Sequence, residues 1–521
     1  MNWPIQFVSS LLLSLMVLLE VSSQKKPNVL LLTADDLGWD SLGCMGNVLP
    51  GLSPNLDRLA AEGLLIKRAY VVSPICGPSR QALYTGLYPQ SSGFMGHGVQ
   101  PPKWWKNQKR EVSGQSITSL LMESGYLTGI IGKHGSDWCR YSLPPVGKNH
   151  ETGMGRDPKK YMEFTQRFLA QAKREGKPFF LAANPHDPHR YWARHHDETT
   201  EWIRAMMGDK WKALPNGKPY PEPSSNFDSK ECPVPTPYAK SPRVQKILAT
   251  YYNSVNRMDE VVGGILKTLE KSGMAKNTLV FFLSDHGMAW DLSKWSLYPS
   301  GVRTPLIVRW PEKIDPGKVN EQSIVSIVDI APTIAHFCNL PPMEKTDGQS
   351  FHSLLTGNSA DWKRSQAFSC FNYMNNLREI DDSLVSFSKD LPEKIDQYRP
   401  SRALNDKRFC YVWNGWADGF NSLPKSMLGE YHWILSDSKN ISTGFYADKK
   451  QATKTFIEFR CPEELYDLKH DPGCLHNLVE EFTHEDRLFQ FRKQMRELLE
   501  DSNDHELPNF LDFINNQRKK P

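Results

Sequence analysis

Four short apolar segments of this chain are each followed directly by residues that can carry charge, and this pattern constrains the fold most. The segments run from Asn28 to Thr33, Thr128 to Gly132, Pro178 to Ala183 and Thr278 to Ser284. Nearly uninterrupted apolar runs of this length predict strands that are buried on both faces, as in a parallel sheet covered by helices. We therefore predict an α/β fold.

The residues that follow the four segments are carboxylates, imidazoles and an ammonium group. They are Asp35 and Asp36, Lys133 and His134, His186, and Asp285 and His286. In an open α/β sheet, the carboxyl ends of parallel strands meet at one edge, and ligands bind there. Four such strand ends together predict a metal-assisted hydrolytic site.

Two adjacent carboxylates, Asp35 and Asp36, stand at the end of the first predicted strand. They repel each other unless a cation lies between them. Their hard oxygen atoms suit Ca²⁺ or Mg²⁺. A solvated turn is the alternative, and position alone does not separate the two interpretations.

A short helix that begins at a nucleophile is predicted over residues 76–86. Pro78 suits the first helical position, because its missing N–H would have no partner there, and Gly86 can end the helix in a left-handed conformation. Cys76 then faces the positive end of the helix dipole, with Arg80 one turn later. Such a site can bind sulfate or phosphate. A buried thiol or half of a disulfide is the alternative for Cys76.

Other segments predict the elements around these strands. Helices are expected to begin after Ser53, to run from Ser116 to Ser124, and to follow a periodic apolar stripe from Val244 to about Gly273. A further strand is predicted from Pro305 to Arg309, and a helix-like segment from Ser323 to Ala335.

The alternation of helices and strands fades near residue 360, and the length of 521 residues favours two domains. We predict a catalytic domain over residues 24–360 and a smaller domain over residues 361–521. In the second part, Phe409 to Trp413 predicts a strand, Glu485 to Leu499 a helix, and Leu465 to Pro472 a turn. These elements indicate an α+β domain built on an antiparallel sheet.

The N-terminal residues predict export. An apolar run from Phe7 to Leu19 is followed by Ser22 and Ser23, which is typical of a secretion signal over residues 1–23. The run is shorter than the roughly 20 residues that a bilayer span requires, and no other stretch is apolar enough. We expect the mature protein in a lysosome, a periplasm or the extracellular space.

Charge and cysteine content limit the partners and the disulfides. A formal net charge of +4 over the whole chain is weak and predicts no nucleic-acid partner.

Among nine cysteines, Cys461 and Cys474 bracket a turn-rich segment and form the first candidate disulfide. Asn440 begins the Asn-Ile-Ser acceptor sequence for a glycan. Homodimer formation stays open.

Residues 76–80, Cys-Gly-Pro-Ser-Arg, with Thr-Gly at 85–86, resemble the Cys-x-Pro-Ser-Arg signature of the type I sulfatases. The resemblance runs from about Pro27 to Leu478. It implies an alkaline phosphatase-like fold, with a large, mostly parallel sheet flanked by helices. It also implies that a formylglycine-generating enzyme oxidises Cys76 to formylglycine. One hydroxyl of the aldehyde hydrate would then attack sulfur, and the other would expel sulfate.

The resemblance also implies a set of metal ligands. They are Asp35, Asp36, Asp285 and His286, with the modified Cys76 completing the site. The ion in this family is usually Ca²⁺, and Mg²⁺ is the alternative. Asn often occupies the place of His286, and imidazole is a softer ligand than an amide oxygen, so the identity of the metal stays open.

Three cations would hold the formylglycine and the sulfate oxygens, by the same resemblance. They are Arg80, Lys133 and Lys294. Fixed charges aimed at a developing anion are a large catalytic contribution. His186 resembles the family's histidine near the leaving group, a candidate acid. The family commonly spaces Lys-x-His, so the role of the adjacent His134 is open, and His189 and Arg190 are candidate substrate contacts.

Several segments resemble the heparan N-sulfatases, the N-sulfoglucosamine sulfohydrolases of this family. They are residues 128–133, 186–190 and 297–299, the last following Lys294. The implied reaction is hydrolysis of the sulfamate S–N bond of a glucosamine at the end of a heparan-type chain. The Asp285-His286 pair instead resembles the iduronate-2-sulfatases, which makes an O-sulfated sugar the alternative.

Two further classes remain as alternatives. Phosphohydrolases of the alkaline phosphatase type share the sheet and the metal arrangement, but they use Ser or Thr as nucleophile. A non-catalytic glycan-binding protein on the same scaffold would leave Cys76 as an unmodified thiol. Cys76 within the Cys-x-Pro-Ser-Arg signature argues against the phosphohydrolases, and the retained metal and cation positions argue against the binding protein. We therefore favour a sulfatase, with a sulfated saccharide as the partner.

Overall fold

A computed structural model gives the structure of the protein. It describes residues 26–97, 115–133, 143–148, 150–189, 220–236, 238, 240–290, 292–374, 398–417 and 460–517. The predicted secretion signal, His134, Arg190 and Asn440 lie outside the described residues.

Thirteen strands occur in the described residues. They are β1 (Asn28–Ala34), β2 (Leu64–Tyr70), β3 (Gly96–His97), β4 (Leu127–Gly132), β5 (Pro145–Lys148), β6 (Phe179–Asn184), β7 (Thr278–Ser284), β8 (Arg303–Arg309), β9 (Lys318–Ser326), β10 (Ala367–Met374), β11 (Tyr398–Asn405), β12 (Phe409–Asn414) and β13 (Glu463–Asp467). They form two sheets.

The larger sheet has eight strands in the order β5-β4-β6-β1-β7-β8-β2-β9. Strand β8 runs antiparallel to its neighbours β7 and β2, and the other neighbouring pairs are parallel. The central strands β1, β6 and β7 are buried along their whole length. The predicted α/β class, with a large and mostly parallel sheet, is confirmed.

The smaller sheet has the order β13-β12-β11-β10-β3. Its four C-terminal strands are antiparallel, and the two-residue strand β3 pairs with β10 in parallel. The antiparallel sheet predicted for the C-terminal part is therefore confirmed. The domain boundary near residue 360 stays a prediction.

Eleven α-helices accompany these strands in the described part of the chain. They are α1 (Pro54–Ala61), α2 (Cys76–Thr85), α3 (Pro89–Ser92), α4 (Ile117–Glu123), α5 (Pro158–Glu175), α6 (Pro242–Lys271), α7 (Pro299–Val302), α8 (Ile330–Phe337), α9 (His352–Leu355), α10 (Glu485–Asp501) and α11 (Leu507–Gln517). None that is described is both long and apolar enough to cross a membrane.

Local chemistry explains where the long helices begin and end. The Asp157 side chain accepts hydrogen bonds from the first turn of α5, Pro158 occupies the first helical position, and Gly176 ends the helix at φ 62°. In α6, the Ser241 side chain accepts from the N–H of Val244. Helix α6 packs against α5, and its apolar stripe is buried.

The structure corrects three predictions. The segment from Ser323 to Ala335 is not one helix, because it starts as the end of β9 and becomes helical only from Ile327, in a short 3-10 helix that leads into α8. The predicted turn from Leu465 to Pro472 begins inside β13, which continues to Asp467. Cys461 and Cys474 are free thiols, as are the other cysteines that the structure describes, so the predicted disulfide is wrong.

Candidate active site

The four predicted strands lie side by side in the larger sheet, in the order β4-β6-β1-β7. They are parallel, and their registers align the last residues of neighbouring strands, as in the pairing of Ala34 with Ser284. Their carboxyl ends therefore meet at one edge. This edge brings together the ionisable residues that follow the strands in sequence.

Helix α2 places the Cys76 thiol at this edge. The helix begins at Cys76, is buried along its whole length, and ends at Gly86 with φ 68°. The Cys76 Sγ atom lies 3.1 Å from Nε2 of His286 and 3.6 Å from Oδ1 of Asp35. Lys294 Nζ lies 3.9 Å from the same sulfur.

Three fully buried carboxylates surround the thiol, namely Asp35, Asp36 and Asp285. The backbone N–H of Asp36, a residue with φ 63°, donates to Oδ1 of Asp285 at 3.2 Å. His286 Nε2 lies 3.2 Å from Oδ1 of Asp36. The left-handed conformation of Asp36 is uncommon for a non-glycine residue and is often found at functional sites.

Each of these carboxylates has one fixed cation beside it. Lys133 Nζ lies 2.6 Å from Oδ2 of Asp35, and Arg80 Nε lies 2.8 Å from Oδ2 of Asp285. Lys294 Nζ donates to both oxygens of Asp36, at 2.8 Å and 2.9 Å. The three predicted cations thus lie beside the predicted metal ligands.

The donor atoms also fit a divalent cation. Ligand atoms of Asp35, Cys76, Asp285 and His286, all buried, lie within 4.8 Å of one another. Carboxylate oxygens dominate the set once Asp36 is included, as Ca²⁺ and Mg²⁺ require.

Neighbouring charges shift the pKa values at the site. Burial alone would raise the pKa of Asp35, but Lys133 and two nearby histidines outweigh it and hold the pKa well below its usual range. Burial would lower the pKa of His286, but Asp285 and Cys76 raise it to about 9. The site therefore favours the charged form of Asp35.

Two histidines after β6 face these carboxylates. His186 Nδ1 lies 3.4 Å from Oδ2 of Asp35, and His189 Nε2 lies 3.8 Å from Oδ2 of Asp36. Their rings are 4.6 Å apart. Burial and the neighbouring Arg156 hold the pKa of His186 well below its usual range. The sequence left His189 as a candidate contact, and the His-x-x-His spacing is the signal that points to it.

Asp187, between these histidines, belongs to a second buried cluster that the sequence did not predict. Arg156 Nε donates to Oδ1 of Asp187 at 2.9 Å, and Arg257 Nε donates to Oδ2 at 2.7 Å. Arg156 also donates to the carbonyl of His189 at 3.0 Å. No short sequence motif links these residues, because Arg257 comes from the distant helix α6.

Comparison with known proteins identifies related chains. A family model described as Sulfatase matches residues 27–340. The human N-sulphoglucosamine sulphohydrolase is 31% identical over 335 residues, covering 63% of this chain and 64% of that protein. An ulvan-active sulfatase of Formosa agariphila is 25% identical over 493 residues, covering 91% of this chain and 75% of that protein.

A solved structure shares the fold. It is a protein in complex with its substrate D-glucosamine-2-N,6-O-disulfate, superposed with a TM-score of 0.59 at 20% identity and covering 92% of this chain and 99% of that chain. At this identity the likeness shows the fold alone. It agrees with the alkaline phosphatase-like sheet expected from the sequence.

Proposed function

Because the chain belongs to the sulfatase family, a family of sulfate ester hydrolases, we propose that it removes sulfate from a sulfated sugar through a nucleophile formed at Cys76. The observation that carries this proposal is the position of Cys76. Its sulfur lies at the start of a buried helix, 3.1 Å from His286 Nε2 and 3.6 Å from Asp35 Oδ1. These contacts support the proposal that the side chain at this position reaches both the cation and the sulfate.

The nucleophile proposed for this position is the hydrate of formylglycine, made from Cys76 by a formylglycine-generating enzyme. The Cys76 Sγ atom stands where the carbon-bound hydroxyls of that hydrate would lie. An aldehyde hydrate would supply one hydroxyl to attack sulfur and a second whose deprotonation releases sulfate and restores the aldehyde. Asp35 and His286 are close enough to orient these hydroxyls.

The proposed metal ligands are Asp35, Asp36, Asp285 and His286, with residue 76 as the fifth. When bound, Ca²⁺ or Mg²⁺ would neutralise the negative charge that a sulfate brings among the carboxylates. His286 is oriented for this role, because its Nδ1 lies 2.9 Å from the carbonyl of Gly287. A hydrogen bond there leaves Nε2 as the atom directed at the carboxylates.

Lys133, Lys294 and Arg80 are proposed to bind the sulfate oxygens and the nucleophile. Their positive charges are fixed by the carboxylates they contact, so they need little reorganisation when charge develops on the transferred group. Lys133 is 20% exposed and His186 14%, compared with 0% for Asp35, so these two groups lie toward the open side. The acid role of His186 and any role of His134 stay predictions.

The proposed substrate is the N-sulfate of a glucosamine in a heparan-type glycan. The 31% identity to an N-sulphoglucosamine sulphohydrolase supports this choice. An O-sulfated sugar is the second candidate, because His286 stands where the resemblance to iduronate-2-sulfatases places a histidine. Export of the mature chain is proposed from the N-terminal run Phe7 to Leu19.

The test is sulfate release from a panel of defined saccharides that differ only in the position of an N- or O-sulfate. The matched control is Cys76→Ala, and phosphorylated analogues form a separate arm. We expect release from the N-sulfated glucosamine by the wild-type protein only. Release from O-sulfated sugars alone would refute the N-sulfated substrate in favour of an O-sulfated one. Phosphate release without sulfate release would refute the sulfatase function in favour of a phosphohydrolase.

A further inference from the structure

We propose that Glu464, a buried residue of the smaller sheet, is a positioning residue for Lys294 at the active site. Lys294 contacts Asp36 and approaches Cys76, whereas Glu464 belongs to β13. The significance for catalysis rests on the proposed function of Lys294. The two residues are connected through Tyr298, which contacts Glu464 and lies in the same segment as Lys294.

The segment Leu292–Tyr298, which carries Lys294, has an unfavourable backbone. Leu292 has φ 59° and Trp295 has φ 68°, in the left-handed region that bulky residues avoid. Such a conformation is strained and persists only where the surroundings hold it. The conformation of Lys294 therefore depends on contacts outside the segment.

One of these contacts is with Pro74, in the segment of the same chain that precedes helix α2. The N–H of Trp295 donates to the carbonyl of Pro74 at 3.0 Å. Within the segment, the Ser296 hydroxyl donates to the carbonyl of Ser293 at 2.8 Å. These bonds fix the middle of the segment beside Cys76.

The other end of the segment is fixed by Glu464. The Tyr298 hydroxyl donates to Oε2 of Glu464 at 2.6 Å, and both side chains are buried. Tyr466 donates to the same oxygen at 2.5 Å, and Asn414 donates to Oε1 at 2.6 Å. Because other donors hold this carboxylate in place, it is a rigid anchor for Tyr298, four residues after Lys294.

The adjacent Glu463 provides a natural comparison. Side chains alternate between the two faces of a strand, so neighbouring glutamates point in opposite directions. Glu463 accepts from the Tyr411 hydroxyl at 2.8 Å and from Arg492 Nε at 2.8 Å, and Arg492 lies on helix α10. Of the two carboxylates, Glu464 is the one that contacts the segment carrying Lys294.

The consequence for Lys294 follows from its short contacts. Its Nζ atom lies 2.8 Å and 2.9 Å from the two oxygens of Asp36. If Tyr298 loses its anchor, the strained segment can relax and move the ammonium group. A displacement of about 1 Å at a catalytic group can cost on the order of 10²-fold in rate.

The experiment compares Tyr298→Phe with Tyr411→Phe. Each variant removes a buried tyrosine hydroxyl that donates to one of the two adjacent glutamates. In each case other donors to that carboxylate remain. We expect kcat to fall at least about ten-fold in Tyr298→Phe, and to stay within about two-fold of wild type in Tyr411→Phe. Both should lose similar thermal stability.

A crystal structure of each variant supplies a readout that is independent of turnover. We expect Lys294 Nζ to leave hydrogen-bonding distance of Asp36 in Tyr298→Phe and to keep it in Tyr411→Phe. Equal kcat values for the two folded variants, or an unmoved Lys294, would overturn the proposal. A wild-type protein that releases no sulfate would refute the proposed function, while the position of Lys294 would still test Glu464.

Discussion

Two clusters of buried charge lie next to each other at the end of β6, and they differ in how their carboxylates are balanced. In the first, Asp35, Asp36 and Asp285 converge on Cys76, and each has one fixed cation beside it. In the second, the single carboxylate of Asp187 lies between two buried guanidinium groups. His186 and Asp187, consecutive in sequence, contact one cluster each.

This difference indicates which cluster serves function and which serves stability. A carboxylate held by two guanidinium groups has both oxygens bound and needs no further cation. In the first cluster, three carboxylates with one cation each converge beside a thiol, and this arrangement prepares a place for a divalent ion. We therefore expect substitutions in the first cluster to change activity and substitutions in the second to change stability.

The largest expected effect is that of Cys76→Ala on turnover. Removing an activated nucleophile should lower kcat by about 10⁴-fold or more, because the remaining groups can only bind and orient the substrate. The thermal midpoint should change little, since the substitution removes one sulfur atom from a polar site. Steady-state sulfate release and a melting curve check both expectations; unchanged turnover would remove Cys76 from the mechanism.

Metal removal, the second largest expected effect, tests the first cluster. Chelation is expected to reduce activity strongly and to lower the thermal midpoint, because an ion that binds only the folded state stabilises it by about 2.7 kcal/mol at a hundred times its Kd. Added Ca²⁺ should restore both. Asp35→Asn should weaken the response to the ion. Full activity and an unchanged midpoint in metal-free protein would contradict the assignment.

Asp187→Asn tests the second cluster. The substitution leaves the buried guanidinium groups of Arg156 and Arg257 without their carboxylate, so we expect the free energy of unfolding to fall by about 3–5 kcal/mol. Urea denaturation measures this loss, and sulfate release per folded molecule should fall much less. If activity were lost at full stability, Asp187 would belong to the catalytic set instead.

The smallest effect is expected for an ion pair on the surface. Arg496 and Glu500 are 2.7 Å apart, as close as Arg257 and Asp187, but their side chains are 54% and 39% exposed. Solvent screens such a pair, so Glu500→Gln should change the free energy of unfolding by less than about 0.5 kcal/mol. A change as large as that of Asp187→Asn would show that burial is not the deciding factor.

The sequence predicted the part of the fold that depends on local composition. The run Asn28–Ala34 is mostly apolar because both faces of β1 are covered, and its end is marked by charged residues. The same logic located β4, β6 and β7. The convergence of the residues at their carboxyl ends followed from the rule that ligands gather at that edge of a parallel sheet, whereas the strand order came from the structure.

Other elements escaped prediction because their patterns are mixed. Strand β2 contains Lys67 and Arg68, and it follows helix α1 after only two residues, so no uninterrupted apolar run marks it. Strand β9 lies at the edge of the sheet, and its first residues are exposed and polar. Its buried end is followed by the short 3-10 helix Ile327–Asp329 and then by the apolar residues of α8, which made the whole segment resemble a helix.

The missed parts of the site depend on contacts between distant residues. Nothing near Glu464 in sequence indicates its contact with Tyr298, which lies 166 positions away. The pairing of Asp187 with Arg257 spans 70 positions. Long-range hydrogen bonds of this kind leave no periodic signal in a single sequence, whereas strand ends and helix starts do.

Mass spectrometry of the tryptic peptide from Ala69 to Arg80, taken from protein purified from its native cells, shows directly whether Cys76 becomes formylglycine. We expect the CH₂SH side chain of Cys76 to be replaced by CHO in active protein, and reagents for aldehydes to label this peptide. An intact thiol in protein that releases sulfate would contradict this expectation.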